Sequence, residues 1–149
     1  MNDVRGQELL LVEDDENDIE LAMRALKGVN LLNRIHVVKD GEEALDYILG
    51  SGDKNQESVG HNPLVVLLDL KLPKINGMEV LKKLKSGRRT ANIPIVILTS
   101  SKESKDLKRC YEMGANSYIV KPYDLADFTR AVSTAGLYWL VINESSMGD

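Results

Sequence analysis

Two apolar runs in this chain end on carboxylates. Glu8-Leu9-Leu10-Leu11-Val12 stops at Glu13-Asp14-Asp15, and Leu64-Val65-Val66-Leu67-Leu68 stops at Asp69. Buried strands that end this way can bring their acids together at one sheet edge. Two carboxylates ~4 Å apart repel by about 4 kcal/mol at an effective dielectric of about 20, so such a cluster either raises a pKa or recruits a cation. Glu13, Asp14 and Asp69 form an all-oxygen donor set, and the Lys71 backbone carbonyl lies just past Asp69 to complete it; that chemistry suits Mg²⁺. Two later apolar runs add Thr99 with Ser100, and Lys121. A metal and the Lys121 ammonium neutralise charge on phosphoryl oxygens, and the Thr99 hydroxyl donates a hydrogen bond to them. Phosphoryl transfer needs mainly that kind of positioning and charge stabilisation. Asp69 is then the nucleophile and forms an acyl phosphate.

Whether these residues meet depends on the elements that carry them. Residues 8–13 read as a buried strand. Ile19, Ala22, Met23 and Leu26 follow at helical spacing, and Gly28 is a stop for that helix. Residues 34–38 read as a second strand. Asp40-Gly41-Glu42-Glu43 has a capping-box layout and opens a helix with Ala44, Leu45 and Ile48 on one face. Residues 50–63 are polar, Gly-rich and without periodicity, the longest loop and the best candidate for a flexible one. Strand three is 64–68. Gly77 opens a helix with Met78, Leu81 and Leu84 inward. Residues 93–98 read as strand four, with Pro94 tolerated near its beginning. Residues 104–113 read as a helix with Leu107, Cys110 and Tyr111 on one side, stopped by Gly114. Residues 117–120 form strand five; Pro122 ends it, Asp124 caps, and the last helix runs from Leu125. Strands alternating with helices imply an α/β fold with a parallel sheet covered on both faces. Ligands of such sheets bind beyond the carboxyl ends of the strands, where the acids, the hydroxyl and the amine lie.

Composition narrows the class. The chain has 149 residues, 43% hydrophobic and 28% charged, which suits one globular domain, 1–149, with its core over about 8–142. A net charge of −4 gives no general attraction to nucleic acid or to an anionic membrane. No apolar stretch reaches the roughly 20 residues of a membrane span, and the N-terminus lacks a signal-peptide pattern. One cysteine, Cys110, excludes a disulfide framework. A cytoplasmic location is the expectation.

Four motifs then carry a resemblance. Val12-Glu13-Asp14, Leu68-Asp69-Leu70-Lys71-Leu72-Pro73 with Gly77, Leu98-Thr99-Ser100, and Tyr118-Ile119-Val120-Lys121-Pro122 resemble the motif set of response-regulator receiver domains. The resemblance covers about residues 8–142. It implies a doubly wound five-stranded parallel sheet in the order 2-1-3-4-5 with five helices, the flavodoxin-like receiver fold. It also implies phosphorylation by a histidine kinase and dependence on Mg²⁺. Glu13 and Asp14 resemble the acidic pair, Asp69 the phosphoacceptor, Thr99 the switch hydroxyl, Lys121 the lysine and Tyr118 the rotating aromatic. Glu13 stands where many members have Asp, and its longer arm still reaches a metal. Loop 50–63, Asp69-Leu70-Lys71-Leu72-Pro73 and the segment 137–142 are similar to the small receivers paired with bacterial phytochromes.

Plainer readings stand beside these. The acids from Glu13 to Asp18 favour a helix N-terminus on their own, Asp69 could form a turn, Thr99 could be a structural hydroxyl, and Lys121 could be solvated. Tyr118 could be a half-buried core ring. Joined in one order on one edge, they favour chemistry. His36 and His61 lack spaced partners. The basic stretches Lys82, Lys83, Lys85, Arg88, Arg89 and Lys102, Lys105, Lys108, Arg109 read as solvated helix faces. Leu137 to Ile142 is apolar all round, more than one core can bury, so Tyr138, Trp139, Val141 and Ile142 are expected to meet a second copy. The chain ends soon after helix five, so the expected switch has no separate output domain and signals through its surface. The alternatives are a receiver-like scaffold that needs no phosphate, an aspartyl-phosphate phosphatase and a nucleotide-binding flavodoxin-like module. The phosphatase wants a second Asp where Lys71 stands, and the nucleotide module wants a Gly-rich loop where Glu13 and Asp14 stand.

Overall fold

The computed structural model describes residues 8–28, 35–50, 60–100, 104–121 and 125–132. In chain order the elements are β1 (Leu9–Val12), α1 (Glu16–Gly28), β2 (Ile35–Val38), α2 (Gly41–Leu49), β3 (Val65–Asp69), α3 (Gly77–Ser86), β4 (Ile95–Thr99), α4 (Ser104–Glu112), β5 (Ser117–Val120) and α5 (Leu125–Val132). The strands form one parallel sheet in the order β2-β1-β3-β4-β5. Strands β1, β3 and β4 are buried along their whole length, which explains their continuous apolar runs.

Alternation along the strands splits the core in two. Leu9, Leu11, Val65, Leu67, Val96 and Leu98 pack with Ala22, Ala25 and Leu26 of α1 and Ala131 of α5. Leu10, Val12, Val66, Leu68, Ile95 and Ile97 face the other way, against Ile48 of α2, Leu81 and Leu84 of α3 and Cys110 of α4. A fully buried aliphatic side chain contributes about 1.5–3 kcal/mol, so the central strands form the rigid platform on which the loops rest.

Local signals act largely as their chemistry dictates. Asp15 caps α1, its Oδ1 accepting from the N–H groups of Asn17 (2.9 Å) and Asp18 (3.0 Å). Asp40 caps α2 by accepting from Glu43 N–H at 2.7 Å, while the Glu43 carboxylate reaches back to the N–H of Lys39 (3.2 Å) rather than that of the cap itself. Pro94 lies just before β4, where its carbonyl accepts from Val66 N–H. Two glycines permit close approaches. A Cβ on Gly77 would sit 2.3 Å from the Asp69 carbonyl oxygen, and one on Gly41 would sit 1.9 Å from that of Ile75. Both helix starts thus press directly on the segment that follows β3.

Several expectations need correction. Tyr111 does not turn inward with Cys110; it is 47% exposed, because α4 presents its buried stripe through Cys110 while Leu107 is half-buried. The histidines take a packing role that the sequence analysis did not assign: the Tyr47 ring is stacked between His36 (4.4 Å) and His61 (4.1 Å). Lys85 and Arg89 are not simply solvated. Lys85 Nζ donates to the carbonyls of Ala91 (3.0 Å) and Ile93 (2.9 Å). Arg89 donates to the Ile48 and His61 carbonyls and to Asn62, tying the α2 C-terminus to the turn that follows α3. Most of the long loop, the segment 137–142, Pro122 and Asp124 lie outside the described residues.

Candidate functional site

Sheet register explains why the site forms. Val12 pairs with Leu68, Asp69 with Leu98, and Thr99 with Val120. Glu13, Asp69, Thr99 and Lys121 therefore stand at or one step past the carboxyl ends of β1, β3, β4 and β5. Backbone bonds hold these ends together: Glu13 N–H to the Val38 carbonyl (3.0 Å), Leu70 N–H to that of Leu98 (3.3 Å) and Lys121 N–H to that of Thr99 (2.7 Å).

The side chains converge. Glu13, Asp14 and Asp69 each offer a carboxylate oxygen, and these oxygens lie within 4.8 Å of one another. Glu13 is 1% exposed and Asp69 6%, while Asp14 is exposed and opens the cluster to solvent. Lys121 Nζ donates to Glu13 Oε2 at 2.6 Å, to Asp18 Oδ2 at 2.8 Å and to Asp69 Oδ2 at 3.3 Å. The other Asp69 oxygen, Oδ1, accepts from Lys71 N–H at 3.0 Å, and Glu13 Oε1 accepts from Asp15 N–H at 3.2 Å. Thr99 is buried at the end of β4 and lines, with Lys71, Met78 and Arg109, a cavity of about 460 Å³ between α3 and α4. Tyr118 is half-buried on β5, its ring edge-on to that of Tyr111 at 5.7 Å. Lys71 enters here through its N–H; the ligand role for its carbonyl remains an expectation.

Electrostatics set the protonation states. Burial first, and then the hydrogen bond with Asp69, push the Glu13 carboxyl up to about 7, against the bonds from Lys121 and Asp15 N–H, which only partly restrain it. Burial alone would lower the Lys121 pKa. Its hydrogen bonds with Asp18 and Glu13 and the charge of Asp69 outweigh that and hold it above the ordinary lysine value. The ammonium is therefore permanent, and Glu13 carries a proton until neutrality in the metal-free protein. Four carboxyl groups, three of them bonded to Lys121, share that one amine, and above neutrality they leave a surplus of negative charge that a hard divalent cation relieves. The donor set fits such an ion: oxygen only, partly preformed, and open on the Asp14 side. Divalent metal binding is thus a property of this site.

Asp18 escaped the sequence analysis, which weighed it only within the acidic run from Glu13 to Asp18 at a helix N-terminus. The acidic run in fact divides. Asp15 is the cap, Glu16 pairs with Lys39 across the surface (2.6 Å), and Asp18 turns to Lys121. A signal was present in the spacing: Asp18 precedes the buried Ala22 by one helical turn, which places it at the edge of the inward face.

Known proteins share this sequence pattern and fold. The response regulator receiver domain family matches residues 9–133. The chain is 41% identical over 138 residues to the probable methanogenesis regulatory protein FilR2 of Methanothrix harundinacea, covering 92% of this chain and 86% of that one. The bacteriophytochrome response regulator RtBRR superposes with a TM-score of 0.76 at 47% identity, over 87% of this chain and 77% of that one. The Mn²⁺-bound form of response regulator Rcp1, a Synechocystis protein, superposes with a TM-score of 0.69 at 33% identity, over 89% and 93% of the two chains. With the sheet order, the strand-end acids and the lysine all in place, the chain belongs to the response regulator receiver domain family.

Proposed function

We propose that Asp69 accepts a phosphoryl group from a histidine kinase, in a site completed by Mg²⁺. The observation that carries this is the convergence of Glu13, Asp14 and Asp69 within 4.8 Å, with the Lys121 ammonium 3.3 Å from the acceptor carboxylate. An Asp69 carboxylate oxygen attacks phosphorus, the phosphorus–nitrogen bond of the donor phosphohistidine breaks, and an acyl phosphate is left on Asp69. Glu13, Asp14, Asp69 and the Lys71 carbonyl would hold the Mg²⁺, which when bound offsets charge on the phosphoryl oxygens. Lys121 supplies a second positive charge and Thr99 a hydroxyl donor. Thr99 moves toward the phosphoryl group and Tyr118 turns inward, shifting the α4–β5–α5 face between two states.

The function is that of a phosphoacceptor switch in a two-component relay. A phosphatase is not favoured, since Lys71 occupies the place of its second aspartate. A scaffold that no longer needs phosphate is the second reading; the complete acceptor set counts against it, and partner binding equal with and without phosphate would support it. The likeness to RtBRR supports a phytochrome-class kinase as donor, whereas FilR2 is named for the regulation of methanogenesis. Phosphotransfer assayed from a bacteriophytochrome kinase decides between them. We further read residues 1–149 as one cytoplasmic receiver that acts without nucleic acid or membrane and signals through its surface. A homodimer would form through Tyr138, Trp139, Val141 and Ile142, and light scattering with and without phosphorylation tests it. Among the described residues no helix is long and apolar enough to cross a membrane. The primary test is labelling with acetyl phosphate and Mg²⁺: Asp69→Asn abolishes it, and acid-labile phosphate retained by that variant rejects Asp69 as the acceptor.

A further inference from the structure

We propose that Asp18 is a positioning residue that draws the Lys121 ammonium away from the acceptor and thereby limits how tightly a phosphoryl group is held at Asp69. The inference rests on the reading of Asp69 as acceptor. An ammonium has three N–H donors, and here three carboxylates take them, unequally. Glu13 and Asp18 lie at 2.6 and 2.8 Å, and Asp69 is the most distant at 3.3 Å. The Lys121 side chain is only 10% exposed, so water does not readily replace a lost partner. A phosphoryl group on Asp69 presents new anionic oxygens that compete for those same donors.

Asp18 and Glu13 differ as competitors. Glu13 is 1% exposed and belongs to the acidic trio, whereas the Asp18 side chain is 28% exposed and lies outside that trio. Asp18 is also anchored. Its N–H is bonded to the cap Asp15, and Ala22, one turn on, is fully buried, so its backbone does not follow the lysine toward a phosphoryl group. Its charge is one that a phosphoryl dianion meets as repulsion. Its removal frees one lysine N–H and deletes a like charge from the pocket.

The test is beryllofluoride binding to the full chain with Mg²⁺, measured by calorimetry, together with Mg²⁺ binding alone and the thermal midpoint. Asp18→Asn is expected to tighten beryllofluoride about tenfold, the effect of a unit charge several ångströms away at an intermediate dielectric. Mg²⁺ alone should bind no tighter, and Asp18→Glu should restore the wild-type value. A merely structural Asp18 would lower the thermal midpoint without tightening the anion. Unchanged or weaker beryllofluoride binding by a folded Asp18→Asn protein overturns the proposal. Should that variant not fold, Asp18→Ser, which keeps a helix-compatible side chain without the charge, is read by the same criterion. If the wild type itself binds no beryllofluoride and Asp69→Asn changes nothing, the acceptor reading falls and the proposal with it. If the wild type binds and Asp69→Asn does not, failure of Asp18→Asn concerns Asp18 alone.

Discussion

Replacing Glu13 with glutamine tests the electrostatics of the cluster most directly. Folding raises this carboxyl from 4.5 to about 7, with burial the largest cause. A carboxyl whose folded pKa lies above its unfolded value contributes stability that is complete below pH 4.5. That contribution is lost as pH rises through 7, because the unfolded chain gives up the proton more readily. The shift corresponds to about 3 kcal/mol. In chelator, wild-type protein should therefore lose on the order of 3 kcal/mol at this residue between pH 4.5 and pH 8, atop whatever its other groups do. Glu13→Gln stays neutral and should escape that loss. At pH 8 its thermal midpoint should exceed that of wild type by about 10 °C, taking roughly 3 °C per kcal/mol for a domain of this size; near pH 4 the two should coincide. Calorimetric melting of both proteins across that range is the assay. Saturating Mg²⁺ should reverse the order at pH 8, since the ionised Glu13 is a ligand and glutamine is a poor one. Wild-type affinity for Mg²⁺ should fall about tenfold for each pH unit below 7, because a proton must leave first. A constant difference in midpoint between the two proteins from pH 4.5 to 8 would refute the reasoning.

Two further outcomes follow from backbone geometry. Gly77→Ala places a methyl 2.3 Å from the Asp69 carbonyl oxygen and 2.6 Å from Leu70 Cα, neither of which is a flexible side-chain end. It should cost about 1–3 kcal/mol in denaturant melts and slow acetyl-phosphate labelling, with wild-type behaviour as the contrary result. Asp40→Ala removes the α2 cap and the 3.5 Å pairing with Lys74, and should cost about 1 kcal/mol while Asp40→Asn costs less; equal losses would show that the cap is not the cause.

The chemistry-bearing residues were legible because strand ends are legible. Continuous apolar runs bounded by Glu13, Asp69, Thr99 and Lys121 mark buried parallel strands, and parallel strands point all their carboxyl ends one way. Motif order then assigned the fold, and the cap Asp40 and the helix-opening Gly77 placed two helix starts within one residue. Side-chain turns on a single helix were harder to read. Asp15, Glu16 and Asp18 are alike in composition, yet one caps, one pairs across the surface and one holds Lys121. A helix rotates each residue by about 100°, so small differences in position send like charges to different partners. Tyr111 shows the same limit, since its place on α4 depends on which neighbours fill the groove.

By itself, the sequence determined which residues can do chemistry, which end of the sheet they occupy and which family the chain resembles, because those follow from residue type and chain order. Tertiary structure alone decided how they share charge. Lys121 is distributed among Glu13, Asp18 and Asp69, and Glu13 is buried deeply enough to hold a proton to neutrality. Those facts depend on distances and desolvation between segments about a hundred residues apart, which only the packed sheet and α1 together establish.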